Sequence, residues 1–241
     1  VIPARKSPVF EALFAGHAQR RIARSFASLR VAGAPEARAL AAGAPVLVVS
    51  NHTSWWDPLV ALVVSRRALG ADGHAMMDAK NLRRLPFFGL VGAFGVDLDD
   101  PADGARALRY ARRLLDRPGR LVWIFAQGRE RPITERPLGF RAGSAELARI
   151  ARQARVVPVG LRYEIGGDER PVAWASIGAP IDASAGTAPS RAAQEAAVEA
   201  ELDRIEAAIR SADVRAFPAL VSGRPSPLAA LAERALGRLT R

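Results

Sequence analysis

The sequence predicts an α/β fold: a mixed, mostly parallel sheet flanked by helices, with an N-terminal amphipathic helical segment. Three observations lead there. Short β-branched apolar runs alternate with longer helical patterns, the order expected of strand–helix units. The chain has 241 residues, 49% of them apolar, enough for one well-filled core. No apolar run approaches the roughly 20 residues that cross a bilayer.

Residues 7–30 read as one amphipathic helix. Val9, Phe10, Leu13 and Phe14 line a face that Ile22, Phe26 and Leu29 continue, with Arg20, Arg21, Arg24 and Arg30 interleaved. Residues 33–45 read as an Ala/Gly/Pro-rich link. Pro45 to Ser50 is rich in β-branched residues and reads as a buried parallel strand. Asp57-Pro58 marks a helix start, with Asp as N-cap and Pro at the first position, and the helix runs to about Leu69. His74 to Met77 is a short strand, and Leu85 to Gly95 is apolar and punctuated by glycine. Pro101 to Leu115 is helical, Arg120 to Ala126 is a buried strand, and residues 127–140 form a loop rich in Gly, Pro and Arg. A helix over Ala142 to Gln153 follows, then strands over Val156 to Glu164 and Val172 to Gly178, with Gly166-Gly167 in the turn region between them. Ser190 to Ser211 is a long mixed-charge helix, and Pro225 to Arg241 is a short basic amphipathic one. The reading is a single domain over residues 1–241. It comprises a membrane-docking segment over 1–44, a catalytic core over 45–212 and a basic tail over 213–241.

The net charge is +11, nearly all from arginine, since Lys6 and Lys80 are the only lysines. Such a balance suits an anionic membrane surface or nucleic acid. No aromatic RNA-binding signature or zinc spacing accompanies it, so no nucleic acid is expected. There is no cysteine, which excludes disulfides, thiolate catalysis and Cys-based zinc sites. No metal site and no cofactor are expected. The basic helices at both ends place the chain peripherally on the cytoplasmic side of the cell membrane.

The chemistry concentrates in Asn51-His52-Thr53-Ser54-Trp55-Trp56-Asp57. His52 follows a buried strand and precedes a helix, an edge where reactants collect in α/β folds. A folded-back loop brings the Asp57 carboxylate to one ring nitrogen and leaves the other free to take a proton from a hydroxyl. Alone, the pair reads more readily as a satisfied polar residue beside a routine N-cap. Its surroundings add to it. Asn51-His52-x-x-x-x-Asp57 resembles the first signature of the glycerolipid acyltransferase superfamily, whose best-known members acylate lysophosphatidic acid. Further blocks follow in order: Ala79-Lys80-Asn81-Leu82 with Leu85-Pro86-Phe87-Phe88-Gly89, then Gly92 to Asp97, Phe125-Ala126-Gln127-Gly128, Phe140-Arg141-x-Gly143, and Val156-Val157-Pro158-Val159. The resemblance covers roughly residues 45–160. It implies His52 as general base and Asp57 as its orienting partner. It implies transfer of a fatty acyl group from acyl-CoA or acyl-ACP (hence a possible acyl carrier protein partner) to a lipid hydroxyl, without an acyl-enzyme. The lack of a Gly-x-Ser-x-Gly elbow agrees with this. Asn51, Lys80, Phe125, Gln127, Gly128, Arg129 and Arg131 are the substrate-binding candidates.

Two departures from the family pattern bear on the acceptor. An arginine usually follows the Asp of the second block, where Leu98 stands here. The third block usually reads Glu-Gly-Thr-Arg, whereas this chain has Gln127-Gly128-Arg129-Glu130-Arg131. Arg129 and Arg131 read either as replacement phosphate-binding forks or as a solvated loop face. Lys80 reads as a phosphate contact or as an exposed residue, and Trp55 and Trp56 as channel lining or core. The acceptor is then lysophosphatidic acid, another lyso-lipid, a glycolipid or an isoprenoid glycoside. A rival reading is a non-catalytic lipid-binding protein that keeps the fold.

Overall fold

The structure is a computed structural model that describes residues 1–182 and 186–224. The expected basic helix over 225–241 lies outside the described residues. Among the described residues, eight strands form one sheet, ordered β4-β3-β5-β2-β6-β7-β1-β8. They are β1 (Ser28–Ala32), β2 (Val46–Ser50), β3 (Asp72–Asp78), β4 (Ala93–Val96), β5 (Arg120–Phe125), β6 (Arg155–Glu164), β7 (Val172–Ile177) and β8 (Ala219–Ser222). Only β6–β7 and β1–β8 pair antiparallel; the other pairings are parallel. β2 lies centrally between β5 and β6, and all five of its residues are buried, as its unbroken apolar run requires.

The two faces of the sheet carry separate cores. Val46, Val48, Leu121 and Trp123 pack beneath α1 (Pro8–Ser25), α2 (Ala34–Gly43) and α3 (Asp57–Val63). Leu47, Val49, Val122 and Ile124 face α5 (Pro101–Leu114), α6 (Gly143–Ile150) and α7 (Thr187–Ser211). This is the strand period of two acting along β2 and β5. α3 continues as one π-helical stretch, Val64–Leu69, so the helical run ends where the apolar pattern does. Between β3 and β4 come α4 (Ala79–Arg84) and a 3₁₀ turn, Pro86–Val91.

Three assignments change. The helix expected over 7–30 stops at Ser25, and residues 28–32 are strand β1, paired with β7 and β8. The expected link over 33–45 contains α2, whose alanines Ala37 and Ala41 are buried. Asp57 is not the N-cap of α3 but its first residue, because its carboxylate turns away from the helix toward the preceding loop.

α1 is fastened by ion pairs as well as packing. Glu11 meets Lys6 and Arg66, Lys6 also meets Asp72, and Arg120 holds the other oxygen of Asp72. The buried His74 of β3 stands beside this cluster, and burial, with Lys6 adding to it, pushes its pKa down to about 4. His74 therefore stays neutral near pH 7 and belongs to the framework.

Gly33 is the N-cap of α2 at φ +74°, with the carbonyl oxygen of Ile177 only 2.1 Å from where a Cβ would stand. Gly33→Ala should lower stability by more than about 1 kcal/mol. Gly43→Ala, which meets nothing within 4 Å, serves as the control. Urea denaturation of both variants measures the difference.

Candidate active site

β2 ends at Ser50, and the next six residues form the loop that returns to α3. Asp57 is completely buried at the end of this loop. A charged carboxylate there needs its lone pairs met by donors. Oδ2 receives Nδ1 of His52 at 2.7 Å and the backbone N–H groups of Thr53 and Ser54 at 2.8 and 3.0 Å. Oδ1 receives the Tyr163 hydroxyl at 2.6 Å. Burial and this carboxylate together raise the Tyr163 pKa well above that of an ordinary phenol, so it remains a donor. With Nδ1–H given to Asp57, the lone pair of the neutral His52 ring sits on Nε2. The ring stacks on Phe125, with centroids 4.7 Å apart. Glu130 Oε1 lies 4.0 Å from Nε2.

The loop is tied to both neighbouring strands. Asn51 exchanges two 2.8 Å hydrogen bonds with the backbone of Leu161 on β6. Gln127, just beyond β5, accepts from the His52 backbone N–H at 2.7 Å and donates to the Leu138 carbonyl at 3.0 Å. The backbone N–H of Arg131 donates to the His52 carbonyl at 2.9 Å.

A cavity of about 410 Å³ runs from His52 between α3 and β3–β5. Small residues make up part of its lining: Ala61 and Ser65 of the helical run after β2, and Gly73 and Ala75 of β3. Gly73 packs against Ser65, whose hydroxyl accepts from the Trp123 indole N–H at 2.7 Å. Leu85, Phe88 and Val91 line its flank. Its outer rim carries Trp55, Asp78, Arg84, Leu98, Arg129 and Glu130.

The structure thus sorts the expected site residues. His52 and Asp57 meet, and Phe125, Gly128 and Arg129 line the cavity with His52. Asn51 and Gln127 are fully buried, with their amides engaged by backbone, so they hold the loop and lie off the cavity lining. Lys80 is exposed, pairs with Asp99 at 2.7 Å and lies off the cavity lining. The guanidinium of Arg131 is held by Glu135. Trp55 is half exposed at the rim with the Arg21 guanidinium over its ring, while Trp56 packs on Phe26 in the core. Tyr163 and Glu130 were not anticipated. The alternation Val157, Val159, Leu161 on β6 puts Tyr163 on the α3 face, the one local signal that it could reach Asp57. No group of residues able to hold a metal ion occurs among the described residues.

A family model described as Acyltransferase matches residues 29–162. Among solved structures, the chain is similar to the 1-acyl-sn-glycerophosphate (LPA) acyltransferase PlsC from Thermotoga maritima. The TM-score is 0.60 at 16% identity, with 82% of this chain and 80% of that one covered. No curated protein matches.

Tyr163→Phe keeps the ring packing but strips Oδ1 of Asp57 of its donor. It should cost about 1–3 kcal/mol of stability, read from the denaturation midpoint.

Proposed function

The chain belongs to the acyltransferase family, and on that premise we propose that it moves a fatty acyl group from acyl-CoA or acyl-ACP to a lipid hydroxyl. One observation carries this reading: a histidine ring fixed through Nδ1 by a buried carboxylate lines an apolar cavity with its other nitrogen unclaimed by any hydrogen bond. The cavity takes the acyl tail and the polar rim takes the thioester and the acceptor. Nε2 of His52 removes the hydroxyl proton as the oxygen attacks the thioester carbon. Asp57 stabilises the imidazolium that forms, while Tyr163 and the two loop N–H groups hold the carboxylate in place. Collapse of the tetrahedral intermediate expels the thiolate, which takes the proton back from Nε2. No protein nucleophile is needed.

Gly128 and Arg129 line the rim against the donor or acceptor headgroup. Phe125, stacked on the ring, is both cavity wall and support for the base. No helix among the described residues is long and apolar enough to cross a membrane. Val9 and Leu13 of α1 are nevertheless largely exposed, as are Trp55 and Leu98 in part at the rim. These exposed apolar side chains and the arginines of α1 would dock the protein on an anionic membrane on the cytoplasmic side, so that a lipid acceptor enters the rim from the bilayer.

His52→Ala should abolish transfer while the far-ultraviolet circular dichroism stays near wild type, the lost donor to Asp57 costing no more than about 1–3 kcal/mol of stability. Transfer retained in that variant, measured as lipid-dependent release of free CoA, excludes the mechanism. A wild-type protein that binds acyl thioester but never turns it over is a lipid-binding protein instead. Ala75→Leu should fill the middle of the cavity and move the acyl preference toward shorter chains, read by mass spectrometry of products from a mixed acyl-CoA pool. An unchanged chain distribution would place the tail elsewhere.

A further inference from the structure

The transfer reading leaves one charged group without a task. Glu130 Oε1 lies 4.0 Å from His52 Nε2, the nitrogen that meets the acceptor hydroxyl. A phosphomonoester beside that hydroxyl would face a carboxylate, a like-charge contact that disfavours binding. Of the cations that could offset it, Lys80 is committed to Asp99 and Arg131 to Glu135. Arg84 and Arg129 line the rim together with Asp78, Glu130 and the apolar Leu98, and Arg141 lies against Gly128. The rim mixes both signs, and Glu130 is the charged group beside the reacting nitrogen.

The distance carries a positive message too. At 4.0 Å the two groups are too far apart for a direct hydrogen bond. Two linked hydroxyls can lie across the pair: the first sits about 2.8 Å from Nε2, and its gauche neighbour, about 2.8 Å from the first, lies over Oε1 at hydrogen-bond length. An ionised carboxylate only accepts, so whatever meets Glu130 must donate. We propose that the acceptor is a lipid with a vicinal diol in its headgroup, a sugar or glycerol unit, its reacting hydroxyl on His52 and its neighbour donating to Glu130.

The inference rests on the acyl-transfer reading and narrows it. The reacting oxygen forms the new ester bond as the carbon–sulfur bond breaks, and its proton passes through His52 to the departing thiolate. The neighbouring hydroxyl keeps its proton, and Glu130 begins and ends as a carboxylate. Its part is to select and orient. The Glu130 side chain is about half exposed on the loop after β5, so replacing it leaves the core intact.

The test measures kcat/KM of the full chain with one acyl-CoA and four acceptors in mixed micelles: 1-monoacylglycerol, an alkyl glucoside, lysophosphatidic acid and a long-chain primary alcohol. Wild type should favour at least one diol over both the alcohol and lysophosphatidic acid by roughly tenfold or more, the worth of one hydrogen bond to a charged group. Whichever diol leads identifies glycerol or sugar as the source. Glu130→Ala should bring the diol-to-alcohol ratio close to one, and Glu130→Gln should fall between, since a neutral amide oxygen still accepts. Lysophosphatidic acid used as well as the diols, or a ratio unmoved in Glu130→Ala, overturns the inference and leaves the transfer reading standing. If wild type acylates none of the four, the transfer reading fails and takes this inference with it.

Discussion

Asp57 has no exposed surface, so its charge must be met entirely from within the protein. A carboxylate buried without partners costs several kcal/mol. Here four donors come from two places: the imidazole and two N–H groups of its own loop, and a hydroxyl from the far end of β6. Each donor requires a different part of the fold to be right. The loop must turn at Thr53 and Ser54, α3 must start at Asp57, and β6 must lie beside β2 in the observed register. A slip in any of them strands a charge in the interior. The site is therefore not an ornament on a finished scaffold, because the scaffold and the carboxylate satisfy one another.

The neighbouring amides extend that logic. Asn51 joins the end of β2 to β6, and Gln127 joins the same loop to the segment following β5. Gln127 needs both halves of its amide, one to accept from His52 and one to donate to Leu138. A glutamate, which the family pattern has at this place, supplies the acceptor but not the donor when ionised. The substitution is thus built into the surrounding backbone and is not a bare change of charge at the substrate.

The legible parts of the sequence were those whose signal is local. β2, β5 and β7 are mostly apolar runs, β6 carries one over residues 156–161, and α5 and α7 are long enough for periodicity to show. β1 was hidden because Phe26 and Leu29 continue the spacing of α1, so a helical pattern ran through a strand. α2 was hidden by Gly33, Pro35 and Gly43, which punctuate a helix end to end yet resemble a loop. β8 spans only four residues and is defined by its pairing with β1. The same division holds at the site. His52 and Asp57 are five apart and could be paired on spacing, whereas Tyr163 reaches Asp57 from 106 residues away. Which way Gln127 points, and that Glu130 faces Nε2, follow from the loop after β5, whose course the sequence does not encode in any periodic form.

The stacking of His52 on Phe125 sets one more condition on the proposed chemistry. Held at Nδ1 by Asp57 and stacked on a phenyl ring, the imidazole is fixed in one orientation rather than swinging between an acceptor and a leaving group. One stationary nitrogen has to receive the proton and hand it on, so both reactants must be in reach of it together. The order of events that follows is a ternary complex: lipid and thioester bound at once, intersecting lines in a two-substrate kinetic analysis, and no half-reaction in which the donor is spent alone.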